Sequence, residues 1–364
     1  MKRIIAGMAA ALLAAVSFFP VKVSAVSAKS YLLLDGTTGR VLQQCNADNR
    51  SLIASTTKIM TALVVCEQCN VLDRVRIPKQ AVGIEGSSMY LQEGEVLTVQ
   101  ELLYGLMLRS GNDAAVALAI YCGGTVEGFA QLMNDKAHRL GLENTHFVNP
   151  NGLDAEGHYS TARDLARLTA YAMNNPVFAQ TVSTKTVTIG NRSLRNHNKL
   201  LWQVEGADGV KTGFTKAAGR ILVSSAQRQG RRLICVTIND PNDWQDHKSL
   251  LESGFRDYSV HDLVQCGQCL GTAEVAGGEA DRVELIAGAD FSFSLANGEQ
   301  PKIYLPPSGF VYAPVVEGKQ AGYANICLDG VQIGKIPLFY GDTVELEKTE
   351  KQPFFKRLWK GDAA

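Results

Sequence analysis

Ala54-Ser55-Thr56-Thr57-Lys58-Ile59-Met60-Thr61 sets a serine and a lysine three positions apart at the start of an apolar helical pattern that continues through Leu63 and Val64. At that spacing the two side chains share one helix face and can meet. A serine hydroxyl is a weak nucleophile near neutral pH and needs a base held against it. Lysine serves as that base only where burial or a second cation disfavours its charged form. Ser55 and Lys58 therefore read as a nucleophile–base pair that needs no histidine. On these residues alone the competing reading is a plain helix start, with Ser55 as N-cap and Lys58 as a solvated charge.

Working outward, Tyr31–Asp35 and Arg40–Gln44 are strand-like runs around Gly36-Thr37-Thr38-Gly39, a hairpin signal. Thr98-x-x-Glu101 is a capping box opening a helix over Leu102–Leu108. A tight loop, Arg109-Ser110-Gly111-Asn112-Asp113, leads into a second apolar helix over Ala114–Tyr121 that stops at Gly123-Gly124. A third helix runs from Val126 to Leu140, and Thr161-x-x-Asp164 caps another that closes before Asn175-Pro176. Strands follow at Thr184–Ile189, Gly209–Thr215, Ile221–Ala226 and Leu233–Ile238, then a closing helix at Trp244–Phe255. Strands at both ends and helices in the middle predict one α+β domain whose antiparallel sheet is completed by the N-terminal hairpin. Beyond Tyr258 helical periodicity disappears. Short alternating runs at Val283–Ile286, Phe291–Leu295, Lys302–Leu305, Ile326–Leu328 and Val331–Ile336 predict a small all-β domain.

Composition bounds the partners. The chain has 364 residues, and its 36 Lys and Arg balance 36 Asp and Glu, so no nucleic-acid partner is expected. Lys2 and Arg3 precede an apolar run from Ile4 to Phe19, with small residues at Val23-Ser24-Ala25 and Val26-Ser27-Ala28. That layout predicts a signal peptide over residues 1–28, cleaved after Ala25 or Ala28, and an exported, extracytoplasmic protein. Eight cysteines in an exported chain suit disulfides or free buried thiols, with Cys235 in an apolar strand and Cys122 at a helix end. Cys66-x-x-Cys69 and Cys266-x-x-Cys269 lie too far apart for one small zinc module, and the pairing is not legible. At the far end Phe354, Phe355, Leu358 and Trp359 are interleaved with Lys351, Lys356, Arg357 and Lys360. This basic amphipathic tail, 349–364, is a candidate anchor to a membrane surface through residues 351–360. The expected division is 29–258 for the catalytic domain and 259–348 for the β-rich one.

Ser55-x-x-Lys58, Ser110-Gly111-Asn112 and Lys211-Thr212-Gly213 fall in that order on a helix start, an interhelical loop and a strand. The surrounding segments strengthen the pattern: Leu108-Arg109-Ser110-Gly111-Asn112-Asp113-Ala114-Ala115, Asp208-Gly209-Val210-Lys211-Thr212-Gly213-Phe214-Thr215, and Asn144–Leu153 continuing through Gly157–Asp164. In these motifs the chain resembles the low-molecular-mass penicillin-binding proteins that are D-Ala-D-Ala carboxypeptidases, over nearly its whole mature length. The resemblance implies a DD-peptidase/β-lactamase-like α+β domain, an antiparallel sheet flanked by a helical cluster, followed by the all-β domain. It implies a serine-type carboxypeptidase of cell-wall biosynthesis that removes the terminal D-alanine from peptidoglycan stem peptides and is acylated by β-lactams. Ser55 would be the nucleophile and Lys58 the base, kept neutral by burial and Lys211. Ser110 would relay a proton to the leaving D-alanine, and Asn112 would orient Lys58 and the substrate amide. Backbone N–H groups of Ser55 and Phe214 would hold the oxyanion, and Lys211, Thr212, Gly213 and Thr215 would line the substrate strand. No metal or organic cofactor is called for. His146, His158, Arg163 and Asp164 read as structural.

Three rivals share some of these features. A β-lactamase needs a glutamate that activates water, and Glu143 and Glu156 stand in no Glu-x-x-Leu-Asn pattern. A DD-endopeptidase would use the same residues. A penicillin-sensing or peptidoglycan-binding protein would have no need of a nucleophile–base pair.

Overall fold

The computed structural model describes residues 26–306 and 310–348. Of the candidate leader over 1–28, residues 1–25 lie outside the described residues, as does the candidate anchor over 349–364.

The N-terminal hairpin is β1 (Ser30–Asp35) and β2 (Val41–Cys45). A 3-10 turn, Ala54–Thr57, leads into α1 (Lys58–Gln68). A small ribbon, β3 (Arg74–Arg76) with β4 (Val96–Thr98), precedes α2 (Val99–Leu108), α3 (Asn112–Gly123) and α4 (Val126–Arg139). Then come α5 (Ala162–Ala172), α6 (Pro176–Ser183), the ribbon β5 (Thr186–Ile189) and β6 (Arg192–Arg195), and the single turn α7 (Leu200–Gln203). Three long strands, β7 (Ala207–Thr215), β8 (Gly219–Arg228) and β9 (Arg231–Ile238), and helix α8 (Asp243–Asp257) close the first domain.

Its sheet has the order β2-β1-β9-β8-β7, antiparallel throughout. The first strands thus pair with the last, as their patterning predicts, and β7 is left at an edge. Both sheet faces are covered. Leu32, Leu34, Val223, Ile234 and Val236 pack against α1–α6 in the main core, while Leu33, Leu222, Leu233 and Cys235 pack against α8. Alternation of consecutive strand residues between two cores is the period-2 consequence of the pleat.

Capping residues fix where helices begin. Thr98 accepts from the Glu101 N–H at 3.2 Å while Glu101 accepts from the Thr98 N–H at 2.7 Å, which completes the capping box. Thr161 caps α5 through the Asp164 N–H at 3.0 Å. The helix α6 is absent from the sequence reading, although Asn175-Pro176 carries its signal. Asn175 accepts from the N–H groups of Val177 and Phe178, and Pro176 takes the first helical position, where no donor is needed.

The second domain is all β. Strands β10 (Tyr258–Val264) and β13 (Phe291–Ala296) pair with each other. A six-stranded sheet has the order β14-β16-β17-β12-β11-β15, with β11 (Cys269–Ala276), β12 (Arg282–Ala287), β14 (Lys302–Tyr304), β15 (Val311–Tyr312), β16 (Gln320–Leu328) and β17 (Val331–Tyr340). Strands β10, β11 and β15 are missing from the sequence reading. Their faces are largely exposed, so alternation is weak there.

Asp35, fully buried at the end of β1, joins the domains. It accepts from the N–H groups of Thr37 and Thr38 at 2.9 and 3.0 Å, from Arg231 Nε at 2.6 Å and from Ser294 Oγ of the second domain. Arg40 reaches across to Glu299 at 2.6 Å and to the Ser294 carbonyl at 2.6 Å. Asp35→Ala leaves Arg231, itself 11 % exposed, without its counter-ion. Loss of one partner of a buried pair costs about 3–5 kcal/mol. Urea unfolding of the variant is expected to show a correspondingly lower midpoint; an unchanged midpoint refutes the role given to Asp35.

Candidate active site

Ser55 lies in the 3-10 turn and Lys58 is the first residue of α1. Side chains at i and i+3 of a 3-10 turn eclipse one another, and Lys58 Nζ is 3.1 Å from Ser55 Oγ. Ser55 carries no capping bond, so the helix-start reading of it does not hold. Ser55 is half-buried and reachable, whereas Lys58, Ser110, Asn112 and Lys211 are each 5 % exposed or less.

Lys58 Nζ also contacts Asn112 Oδ1 at 2.7 Å and the Asn151 carbonyl oxygen. From β7, Lys211 Nζ donates to Ser110 Oγ at 3.0 Å and to the Thr212 carbonyl at 2.8 Å. The three sequence motifs therefore meet at one point. Burial, and then the positive field of Lys211, push the Lys58 ammonium well below its usual range, with Asp113 opposing. Burial pushes Lys211 down to about 7.

Close backbone approaches make this convergence possible. A Cβ on Gly213 would lie 3.3 Å from Ile53 O and from Ser55 N, so β7 rests directly on the turn that carries Ser55. Gly152, at φ +84°, touches the same turn from the other side; an added Cβ would fall 1.9 Å from Ala54 O. Ser110 itself has φ 61°, a left-handed conformation that is uncommon and costly for a residue with a side chain.

Supporting residues outside the three motifs hold the walls. The Asp113 carboxylate accepts from Ser88 Oγ at 2.6 Å and from the N–H groups of Met89, Leu91 and Ala114 at about 3 Å, pinning the 85–91 loop to the start of α3. Asn112 Nδ2 donates to the Glu85 carbonyl of that loop, so its amide group is engaged at both ends. Thr61 donates to the Pro150 carbonyl at 2.6 Å, securing the turn that presents Asn151. The Val148 N–H donates to His158 Nδ1 at 3.1 Å, which leaves the ring proton on Nε2 to donate to Thr57 Oγ1 at 2.8 Å. His146 meets the Gly157 carbonyl, Arg163 pairs with Asp48, and Asp164 accepts from Asn144 and Thr145. His146 and His158 lie on the loop scaffold, and Arg163 and Asp164 in the first turn of α5.

On the edge strand, Phe214 is 63 % exposed. The Thr215 hydroxyl is taken up within its own turn, donating to Asp154 at 3.1 Å and accepting from the Ala218 N–H at 3.0 Å. Arg220 is paired with Asp243 at 2.7 Å. Glu143 and Glu156 are exposed, and no contact from either to Ser55 or Lys58 occurs among the described residues. Beside the site a cleft of about 590 Å³ is lined by Arg109, Arg195, His197, Lys199 and Trp202. The His197 N–H reaches the Leu108 carbonyl at 3.2 Å, which connects that cleft to the Ser110 loop.

Comparison with known proteins matches residues 18–242 to the family model described as D-alanyl-D-alanine carboxypeptidase. The chain belongs to this D-alanyl-D-alanine carboxypeptidase family. Residues 258–346 match a second model, the penicillin-binding protein 5 C-terminal domain. Among curated relatives, DacC of Escherichia coli (strain K12) is 34% identical over 93% of this chain and 88% of its own length. DacF of Bacillus subtilis (strain 168) is 33% identical over 85% of this chain and 84% of its own. Among solved structures, penicillin-binding protein 5 from Haemophilus influenzae superimposes with a TM-score of 0.76 at 32% identity, covering 88% of this chain and 98% of that one. The Streptomyces K15 DD-transpeptidase matches only part of this carboxypeptidase, 64% of the chain, with a TM-score of 0.61 at 36% identity.

The buried histidines make the fold acid-sensitive. Burial, and then His146, push His158 down to about 4 from 6.5; burial pushes His247 to about 3. The unfolded chain takes up these protons first, so stability present above pH 6.5 is lost as pH falls toward 4. For His158 alone the loss is about 3 kcal/mol. Unfolding free energy measured against pH is expected to slope downward across that window, and less steeply in His158→Gln. An equal slope in both proteins counts against this assignment.

Proposed function

We propose that this enzyme works as a serine-type D-Ala-D-Ala carboxypeptidase, with Ser55 as nucleophile and Lys58 as general base. One observation carries the reading. Nζ of Lys58 has three neighbours, and two of them, Asn112 Oδ1 and Asn151 O, can only accept. A neutral amine gives its two N–H bonds to these oxygens and turns its lone pair toward the Ser55 hydroxyl 3.1 Å away. The arrangement aims the base at the nucleophile.

Two buried amines this close cannot both hold a proton cheaply. Burial and the field of Lys211 both disfavour the charged form of Lys58, and the acceptor oxygens around it leave its lone pair facing Ser55, so Lys58 is taken as the neutral member of the pair. Ser55 Oγ attacks the carbonyl carbon between the two terminal D-alanines while its proton passes to Lys58. The N–H groups of Ser55 and Phe214 stabilise the oxyanion. As the tetrahedral species collapses, the C–N bond breaks. The proton taken up by Lys58 is relayed through Ser110, held by Lys211, to the leaving D-alanine amine, which returns Lys58 to its neutral form. Water then cleaves the acyl-enzyme and restores the Ser55 hydroxyl. A β-lactam enters by the same first step. Lys211 and Thr212 meet the terminal carboxylate; Thr215 must first release Asp154 to join them. Cationic Arg109, Arg195 and Lys199 in the adjoining cleft suit further carboxylates of a stem peptide.

The protein is read as extracytoplasmic, with the leader cleaved after Ala25 rather than Ala28. Ser27 supports that choice, because its N–H and hydroxyl bond Asp246 at 2.6 and 2.8 Å and its hydroxyl bonds Asp240 at 2.7 Å. Cleavage after Ala28 would discard these bonds. The 349–364 tail remains the candidate membrane contact.

D-Alanine release from a diacyl-lysyl-D-Ala-D-Ala peptide tests the activity: wild type is expected to release it, and Ser55→Ala to fall by at least about a thousandfold. Release undiminished in Ser55→Ala refutes the nucleophile. Lys211→Gln removes the cation that depresses Lys58. The acid limb of the rate of penicillin acylation against pH is therefore expected to move to higher pH. A limb that stays in place, or moves down, refutes the assignment of Lys58 as the titrating base.

A further inference from the structure

Ahead of β1 the chain runs beside the end of β9, where the Lys29 N–H donates to the Asn239 carbonyl at 3.2 Å. Ser27 there meets two acids, Asp240 and, in the first turn of α8, Asp246. Its N–H donates to Asp246 Oδ2 at 2.6 Å, and its hydroxyl lies 2.8 Å from that oxygen and 2.7 Å from Asp240 Oδ1. One hydroxyl has one proton, so it satisfies only one of the two oxygens. Asp240 is 0 % exposed and Asp246 5 %. The other oxygen of Asp240, Oδ2, is buried and has no hydrogen-bond partner among the described residues. Neighbouring basic groups are already engaged. Arg220, whose carbonyl accepts from the Asp240 N–H at 3.0 Å, gives its guanidinium to Asp243. Both ring nitrogens of His247 are taken by Ser224 and Thr237. The site thus holds two buried carboxyl groups side by side, short of a donor and of a counter-charge, a costly arrangement.

We propose that the α-ammonium of Val26, created when the leader is removed, is the missing cation and pairs with Asp240 and Asp246. This rests on cleavage of the leader after Ala25. The Val26 nitrogen is three bonds from the Ser27 nitrogen, hence within about 4 Å of it, and the Ser27 nitrogen is itself 2.6 Å from Asp246. The Val26 side chain is half-buried in the core under α8, packed with Trp244 and Phe255, which holds the new terminus beside the two acids. Burial, the largest influence on Asp240, pushes its carboxyl above the usual range, as expected of an acid whose counter-ion has yet to be supplied.

In the uncut chain the Val26 nitrogen is a neutral amide with a single N–H. Hydrolysis of the Ala25–Val26 bond by a processing peptidase consumes one water: Ala25 departs as a carboxylate and Val26 is left as an ammonium. One cut therefore supplies three N–H donors and one positive charge at the place that lacks both. The position of the cut decides the outcome, because cleavage after Ala28 removes Val26 and Ser27 together. Seating the terminus also ties the start of β1 to α8 across the end of β9, so the first strand of the sheet is secured once the leader is gone. Processing and completion of the fold become one event.

The test exports the full chain, purifies it and reads its first residue by N-terminal sequencing and intact mass, with Val26 expected. Titration of the α-amino group, followed by NMR after reductive ¹³C-methylation, is expected to lie above the ordinary α-amino range near pH 8. It should fall back toward that range in Asp240→Asn or Asp246→Asn. A second chain carries Gly-Gly inserted between Ala25 and Val26, which returns the Val26 nitrogen to a neutral amide after cleavage. It is expected to melt roughly 3 °C or more below the wild type, a gap that shrinks when Asp240→Asn is present in both. A terminus at Lys29 overturns the cleavage reading and the pairing with it. A Val26 terminus with an ordinary α-amino titration, equal melting of the two chains, or a gap unchanged by Asp240→Asn overturns the pairing and leaves the cleavage reading standing. If neither substituted protein folds, the wild-type titration decides alone. None of these readouts depends on carboxypeptidase activity.

Discussion

Two buried lysines, Lys58 and Lys211, set the terms for everything around them. An unpaired ammonium in a water-poor interior is expensive, and among the described residues no carboxylate pairs directly with either of these two. The fold compensates with carbonyl and hydroxyl oxygens: Asn112 Oδ1 and Asn151 O for Lys58, Ser110 Oγ and Thr212 O for Lys211. Oxygens of this kind satisfy N–H groups without restoring the charged state as a carboxylate would. That distinction suits Lys58 to the role of base proposed for it.

Delivering those oxygens requires four separate segments to approach within contact distance, and the rest of the domain serves that end. The 3-10 turn at Ala54–Thr57 is squeezed between β7 and the 149–152 turn, and side chains are missing where space runs out, at Gly213 and Gly152. Edge position gives β7 a free side next to this turn, which is where a substrate strand can lie. Behind the turn, Thr57, Thr61 and His158 bind it to the loop that supplies Asn151. Rigid packing on three sides keeps the reacting groups within hydrogen-bond reach, which is where proximity has its effect.

The parts legible in sequence are those written in local chemistry. Ser55 and Lys58 are three positions apart, Thr98 and Glu101 form a capping box, and the hairpin and the long strands carry a period-2 pattern. Each of these signals is local. Asn151 was invisible because its contribution is a backbone carbonyl, which any residue possesses. Asp113 stands in the motif, yet nothing local says that its carboxylate gathers donors from residues 88–91, more than twenty positions upstream. Helix α6 is not legible because Asn-Pro reads equally well as a turn. Strands β10 and β11 are not legible because a strand that is exposed or half-buried on both faces loses the alternation that marks it.

Asp113 also shows how one residue serves both structure and electrostatics. Its position in the first turn of α3 suits a negative charge, since the helix dipole and four N–H or O–H donors stabilise the carboxylate there. That settled charge acts on Lys58 against burial and Lys211, the only one of the three influences that raises its proton affinity. The opposition has a chemical use. A base whose pKa falls far below the working pH is always deprotonated but accepts protons weakly, and general-base efficiency is greatest when the pKa lies near that pH. Burial and Lys211 favour the neutral amine and Asp113 opposes them, the balance that the proposed role of Lys58 toward Ser55 calls for. The carboxylate that holds the 85–91 wall thereby also acts on the proposed base across the site from it.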